Sequence, residues 1–382
     1  MNKIILIMLI IFSFCVPVGT IVHAEELSNP EVRSEAAIIV DSETGAVLYE
    51  KNAEQRMYPA SLTKIATAIY AIENGNLEDM VTVSKNAANT DGTSVYLEEG
   101  EQVPLKKLIQ GMLINSGNDA AAAIAEHLDG SHFEEKINEY LKTKIHVSNT
   151  HFTNPHGLFD ENHYTTAEDL AKITSYALKN DIFREIYGTK ELKWIGKSWD
   201  TTLLTHHLML KGEIPYEAVN GGKTGYVPES KFTLATSAQK DNMELTAIVL
   251  KGVNDKEVYD DTISLLDYGF DQFKHTYIPK SDTFQKEGKT FTTGLYDVLI
   301  TVPASSYENI ITSDGQLQVT NTNGNIIQAV TLVEKPVEKT DTRQEKVEQP
   351  SDRKTMGFYG KYAIILTAVA GLLIGIRKLK KR

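Results

Sequence analysis

The sequence has almost no cysteine. Cys15 is the one instance in 382 residues, and it lies inside the first apolar run. If that run is removed on export, no thiol remains. Disulfides, a cysteine nucleophile and a thiolate metal site are then excluded. Basic charge is also in short supply. Lys and Arg total 39 against 51 Asp and Glu, a formal net charge of -12. An acidic balance argues against nucleic acid as a partner, because phosphate binding needs a basic stripe. The metal signature H-E-x-x-H is missing. His206 and His207 are adjacent, so on a regular element they point apart. No metal and no cofactor is expected.

Apolar residues make up 41% and charged residues 24%, so a well-buried core is affordable and global disorder is not expected. Both ends carry apolar runs. Lys3 precedes the run Ile4 to Phe14, and Val22-His23-Ala24 reads as a small-x-small cleavage site. Residues 1–24 therefore read as an export signal, with the mature chain starting near Glu25. Lipidation at Cys15 is the alternative, but Phe12-Ser13-Phe14 supplies no small residues before it. Tyr362 to Ile376 contains no charge and is followed by Arg377, Lys378, Lys380, Lys381 and Arg382. This reads as a membrane helix over 357–376, near the lower length limit for a span, with residues 377–382 as a basic cytoplasmic tail. The body of the protein would then sit outside the cell membrane on a single-pass anchor.

Between these ends the pattern changes twice. Ala36 to Val40 and Ala46 to Glu50 read as a hairpin around the turn residues Asp41 to Gly45. Helical periodicity follows at Ser61–Glu73, Leu105–Ile114, Asp119–Leu128, Phe133–Leu141 and Thr166–Leu178. Thr165 with Glu168 has the spacing of a capping box. Phe232 to Ala238 and Glu244 to Lys251 read as an antiparallel pair, and Val258 to Phe273 as a long helix. Strands at both ends of this stretch and helices between predict an α+β domain over 25–275, with one antiparallel sheet packed by helices. Residues 276–333 alternate short strands and turns and predict a small all-β domain; Asn323-Gly324 is a hairpin signal. Residues 334–356 are polar, with Pro336 and Pro350, and read as a flexible linker.

Three short triplets carry the chemistry. In Ser61-Leu62-Thr63-Lys64 the first and last residues share a helix face. A serine hydroxyl needs a base to become a nucleophile, and an amine serves only if burial or a second cation lowers its pKa. Ser116-Gly117-Asn118 sits between two apolar helices, where unpaired polar groups are costly. Lys223-Thr224-Gly225 follows Gly221-Gly222 and leads into the Phe232 strand region. A lysine and a hydroxyl at a strand edge suit a carboxylate, and a glycine lets another backbone come close. Alone, each triplet also reads as a cap or turn.

Taken together, in this order, the triplets resemble the penicillin-recognising serine enzymes, whose motif set is S-x-x-K, S-D-N and K-T-G. The Gly117 form of the middle element resembles the low-molecular-mass D-alanyl-D-alanine carboxypeptidases. So do Pro59-Ala60, Asn154-Pro155-His156-Gly157-Leu158 and His163-Tyr164-Thr165-Thr166-Ala167. The resemblance covers roughly residues 35–274 and implies a β-lactamase/transpeptidase-like fold. It implies Ser61 as acyl-ester nucleophile, Lys64 as general base and Ser116 as proton relay. Asn118, Lys223, Thr224 and Gly225 would bind substrate, and the backbone N–H of Ser61 and Tyr226 would form an oxyanion hole. The substrate would be a peptidoglycan stem peptide ending in D-Ala-D-Ala, with β-lactam antibiotics as inhibitors. A serine β-lactamase is the alternative enzyme; the Gly117 form and the added β domain speak against it. A wall-binding or sensor protein with a vestigial site is the alternative from another class. Arg56 could serve as a second cation but reads as a solvated surface arginine, and His156 and His163 read as structural.

Overall fold

A computed structural model describes residues 29–336. The signal at 1–24, nearly all of the linker and the apolar and basic segments at 357–382 lie outside the described residues. Among the described residues, no helix is long and apolar enough to cross a membrane.

The first hairpin forms where the turn chemistry placed it. Strands Ala36–Asp41 and Val47–Lys51 pair antiparallel. Asp41 closes the turn with its own side chain: one carboxylate oxygen accepts from the N–H of Glu43 and Thr44. Strand Met243–Gly252 pairs with the other side of Ala36–Asp41, then Lys231–Lys240, then Val219–Val227. The result is one five-stranded antiparallel sheet drawn from both ends of the domain. Successive residues on a strand face opposite ways, and here both faces are covered. Ile38, Ile248 and Leu250 point into a core of helices. Ile39, Leu245 and Val249 point toward helix Asp255–Gln272. That explains why these strands read as apolar runs rather than as alternation.

Helix Thr63–Asn74 passes through the larger core, with residues 63–71 all buried, and touches helices Leu105–Ile114, Asn118–Leu128 and Ala167–Ala177. Two local details differ from the sequence reading. Ser61 does not open the α-helix. It lies in a 3-10 turn, Ala60–Leu62, that precedes it. The cap of the Ala167–Ala177 helix is Thr166, not Thr165. The Thr166 hydroxyl accepts from the N–H of Asp169, while Thr165 Oγ1 is 2.8 Å from Thr150 Oγ1.

Short strands fill residues 273–334, with a core of Ile278, Phe291, Ile300, Val302, Leu317, Val319 and Leu332. Strand Phe273–Ile278 continues directly from the long helix and pairs with Val298–Pro303, so it crosses the boundary drawn at 275/276. Asn323-Gly324 turns strand Gln316–Asn321 into Ile326–Thr331. This β unit is fastened to the first hairpin by polar contacts. The second oxygen of the fully buried Asp41 carboxylate meets His275 Nε2 at 2.6 Å and the Thr301 hydroxyl at 3.0 Å.

Candidate active site

The site begins with a strained turn. Ala60 has φ +50, a left-handed conformation that costs an alanine energy. The turn is held from two sides. Thr63 donates its hydroxyl proton to the Ala60 carbonyl at 2.9 Å, and His163 Nε2 lies 2.8 Å from that hydroxyl. His163 Nδ1 accepts from the Thr153 N–H, so Nε2 carries the proton and donates. Thr233 donates to the Pro59 carbonyl at 3.1 Å. Ser61 is thereby fixed at the end of the central helix, and Lys64 starts one turn later inside the core.

Lys64 is fully buried, and its amine has three oxygen neighbours. Ser61 Oγ is at 3.0 Å, Asn118 Oδ1 at 2.7 Å and the His156 carbonyl at 2.7 Å. The Asn118 amide orientation is fixed because its Nδ2 donates to the Asp91 carbonyl at 2.6 Å. A neutral amine has two N–H groups and one lone pair. Two of the three neighbours here are pure acceptors, which consume the two N–H groups. The lone pair is then left facing the Ser61 hydroxyl.

The second and third triplets meet each other. Ser116 sits in a left-handed conformation, φ +63, between helices Leu105–Ile114 and Asn118–Leu128. Its hydroxyl accepts from Lys223 Nζ at 3.0 Å, which leaves its own proton free to point elsewhere. Lys223, Thr224 and Gly225 lie on a strand of their own, the edge of the five-stranded sheet, rather than at a turn leading into one. Lys223 is 3% exposed and also donates to the Thr224 carbonyl. A Cβ on Gly225 would stand 2.9 Å from the Ser61 nitrogen and 2.4 Å from Thr233 Oγ1. Absence of a side chain there is what allows the edge strand to lie against the nucleophile turn.

Electrostatics follow from burial. Lys64 is held well below 10.5, first by loss of water and then by repulsion from Lys223; Asp119 acts in the opposite sense. Burial also brings Lys223 down to about 7. His156 and His163 are pushed to about 3 by burial, with Lys64 adding repulsion to both. His207 is likewise driven to about 3 by burial. It donates from Nε2 to Thr236 and accepts at Nδ1 from the Leu210 N–H. Its neighbour His206 lines the cleft.

The cleft is about 450 Å³. Ser61, Ser116, Thr224, Gly225 and Tyr226 line it together with Thr93 and His206. All eight residues singled out from the sequence converge on this place. Lys64, Asn118 and Lys223 support it from beneath: each is buried and bonded to a neighbouring motif. Tyr226 is 56% exposed, and its ring leans on Phe232. Arg56 stacks on Tyr164 at 4.4 Å and takes no part. The wall at Asp91 to Leu97 carries no mark of the site in the sequence. It has no periodicity, so only folding reveals it.

An antiparallel sheet covered on both faces, with a serine–lysine pair at its edge strand, defines the class of penicillin-recognising serine enzymes. Comparison with known proteins narrows the class. Residues 23–254 match the family described as D-alanyl-D-alanine carboxypeptidase, peptidase family S11. The chain belongs to this family. It is 35% identical over 263 residues to the D-alanyl-D-alanine carboxypeptidase DacF of Bacillus subtilis, covering 66% of each chain. Over 292 residues it is 32% identical to DacA of Escherichia coli, covering 69% of this chain and 68% of that one. Among solved structures, penicillin binding protein 5 of Haemophilus influenzae superposes with a TM-score of 0.68 at 26% identity, over 80% of this chain and 98% of that one. A variant of the Streptomyces K15 DD-transpeptidase gives 0.59 at 28% identity, over 64% and 100%.

Proposed function

We propose that this chain is a serine D-alanyl-D-alanine carboxypeptidase that removes the terminal D-alanine from peptidoglycan stem peptides, with Ser61 as its nucleophile. The observation that carries the reading is the buried Lys64 amine, 3.0 Å from Ser61 Oγ and held by two acceptors on its other sides. An amine lowered well below its ordinary range by burial and by Lys223 is the kind of base that a serine nucleophile requires.

The steps follow from the groups present. The Lys64 lone pair takes the Ser61 proton as Oγ bonds to the carbonyl carbon of the penultimate D-alanine. The carbonyl oxygen becomes an oxyanion at the backbone N–H of Ser61 and Tyr226. The C–N bond then breaks. The free Ser116 proton goes to the leaving nitrogen, and D-alanine departs. The proton that Lys64 took from Ser61 passes through the Lys64–Ser116 network to restore the Ser116 hydroxyl, so Lys64 ends neutral and Lys223 keeps its charge. Water hydrolyses the ester and restores Ser61. Thr224 faces the cleft for the substrate carboxylate, and the Lys223 charge beneath it draws that anion in. The second N–H of Asn118 Nδ2 remains for a substrate carbonyl. A β-lactam presents an amide carbonyl to the same attack; its ring C–N bond breaks, the nitrogen stays tethered to the acyl group, and an ester remains on Ser61.

Export and anchoring belong to the same proposal. The run at residues 4–14 before Val22-His23-Ala24, and the uncharged run Tyr362 to Ile376 before five cations, support a catalytic body outside the membrane. Residues 25–275, 276–333 and 334–356 would be catalytic domain, β unit and linker.

Incubation with fluorescent penicillin tests the reading. Covalent label on the intact protein, mapped to Ser61 and absent in Ser61→Ala, is the expected result, together with D-alanine release from a stem pentapeptide. Label that persists in Ser61→Ala would end it.

A further inference from the structure

We infer that the middle motif is a four-residue unit in which Asp119 is a positioning residue. Its carboxylate ties the Ser116-Gly117-Asn118 turn to the opposite cleft wall, and so fixes where Asn118 holds the Lys64 amine. The inference rests on the carboxypeptidase reading and assigns a role that reading does not use.

Asp119 is fully buried. Its carboxylate accepts from the Ser94 hydroxyl at 2.5 Å, the Val95 N–H at 3.0 Å, the Leu97 N–H at 3.0 Å and the Ala120 N–H at 2.8 Å. The wall it grips has no helix or strand of its own over residues 89–97. Buried N–H groups there need a partner from elsewhere, and Asp119 supplies it. Charge-assisted bonds are the stronger kind. Three further bonds follow the same seam. The Asn118 N–H donates to the Thr93 carbonyl, Asn118 Nδ2 to the Asp91 carbonyl and Asn115 Nδ2 to the Ser94 carbonyl. Thr93 and Ser116, on the two sides of this seam, both line the cleft.

Gly117 belongs to the same device. A Cβ there would lie 2.9 Å from Asp119 Oδ1 and 3.2 Å from Val95 Cγ1. The glycine is therefore the space in which the carboxylate sits. This gives a physical reason why the middle triplet carries no acid at its second position: the acid stands two residues later and folds back over the glycine. Lys64 is faced by Lys223, Asp119, His156, His163 and, farther out, His206. Of these, Asp119 favours the protonated amine, while Lys223 opposes it.

Two variants separate positioning from bulk stability. Asp119→Asn keeps the shape, removes the charge and turns an N–H toward a backbone donor. Gly117→Ala keeps the charge and displaces the carboxylate. Penicillin acylation rates are measured across pH in both. Each is expected to slow acylation about 100-fold, as a misplaced catalytic group does. In Asp119→Asn the acid limb should also move to lower pH, since an attractive charge is lost from Lys64. In Gly117→Ala it should stay. Wild-type acylation in either variant, or an acid limb that moves equally or not at all in both, would overturn the assignment. If Asp119→Asn fails to fold, Gly117→Ala and Ser94→Ala carry the test, and wild-type acylation in both would overturn it. A wild-type protein that takes no label would fail the carboxypeptidase reading instead.

Discussion

Lys223→Met makes a prediction whose size can be worked out in advance. Lys223 is 3% exposed and burial holds it at about 7 against an ordinary 10.5. The unfolded chain keeps the proton up to the ordinary value, and the folded chain gives it up sooner. Between the two values the unfolded state binds more protons, so stability rises with pH. The penalty is fully present below about pH 7 and is relieved as the pH climbs toward 10.5. Integrating from about pH 7 to about pH 9 gives a gain of about 2 kcal/mol from this one group. Methionine fills similar volume without a charge. It forfeits the bonds to Ser116 and the Thr224 carbonyl, a loss that does not depend on pH. Loss of the Lys223 charge raises Lys64 in the variant, which reduces the variant's own gain with pH and so adds to the difference rather than opposing it. Urea unfolding of wild type and Lys223→Met at several pH values measures the slope. The stability difference should change by about 2 kcal/mol across that range in favour of wild type at high pH. A difference that stays flat would refute the account of a buried, water-starved amine at the edge strand.

Gly225→Ala puts a methyl group 2.9 Å from the Ser61 nitrogen and 3.1 Å from the Pro59 carbonyl, so the nucleophile turn has to move. Acylation by penicillin, followed by stopped flow, should fall about 100-fold; a loss below threefold would mean the turn and strand are not in contact. Thr166→Ala removes the hydroxyl that caps helix Ala167–Ala177, and denaturant unfolding should report a loss of about 1 kcal/mol. If Thr165→Ala were the costlier of the two, the cap would be misassigned.

Much of the fold was legible because local patterns and tertiary demands agree. The first hairpin, helix Leu105–Ile114, the pair of strands at 231–252 and the Asn323-Gly324 turn each declare themselves within about ten residues, through a period or a turn signal. Errors arose where neighbours compete for one job. Thr165 and Thr166 are both cap-forming residues. Thr165 is claimed by its hydrogen bond to the Thr150 oxygen, whose own proton goes to Asp169, and the second is left to the helix. Strand Val219–Val227 hid because three glycines and a lysine carry no apolar alternation. It is a strand only because Lys231–Lys240 pairs with it.

The sequence by itself determined which chemical groups are available: a hydroxyl three residues before an amine, a second hydroxyl, a second amine beside a glycine, and no thiol. Folding decided what those groups can do. An amine acts as a base near neutral pH only where lost water or a nearby cation lowers its pKa, and for Lys64 both come from segments far away along the chain. The carbonyls of Asp91 and His156, the carboxylate of Asp119 and the bare face of Gly225 have no signature at short range. Their effect depends on distances of about 3 Å between residues tens to more than a hundred positions apart, which only a closed core can set.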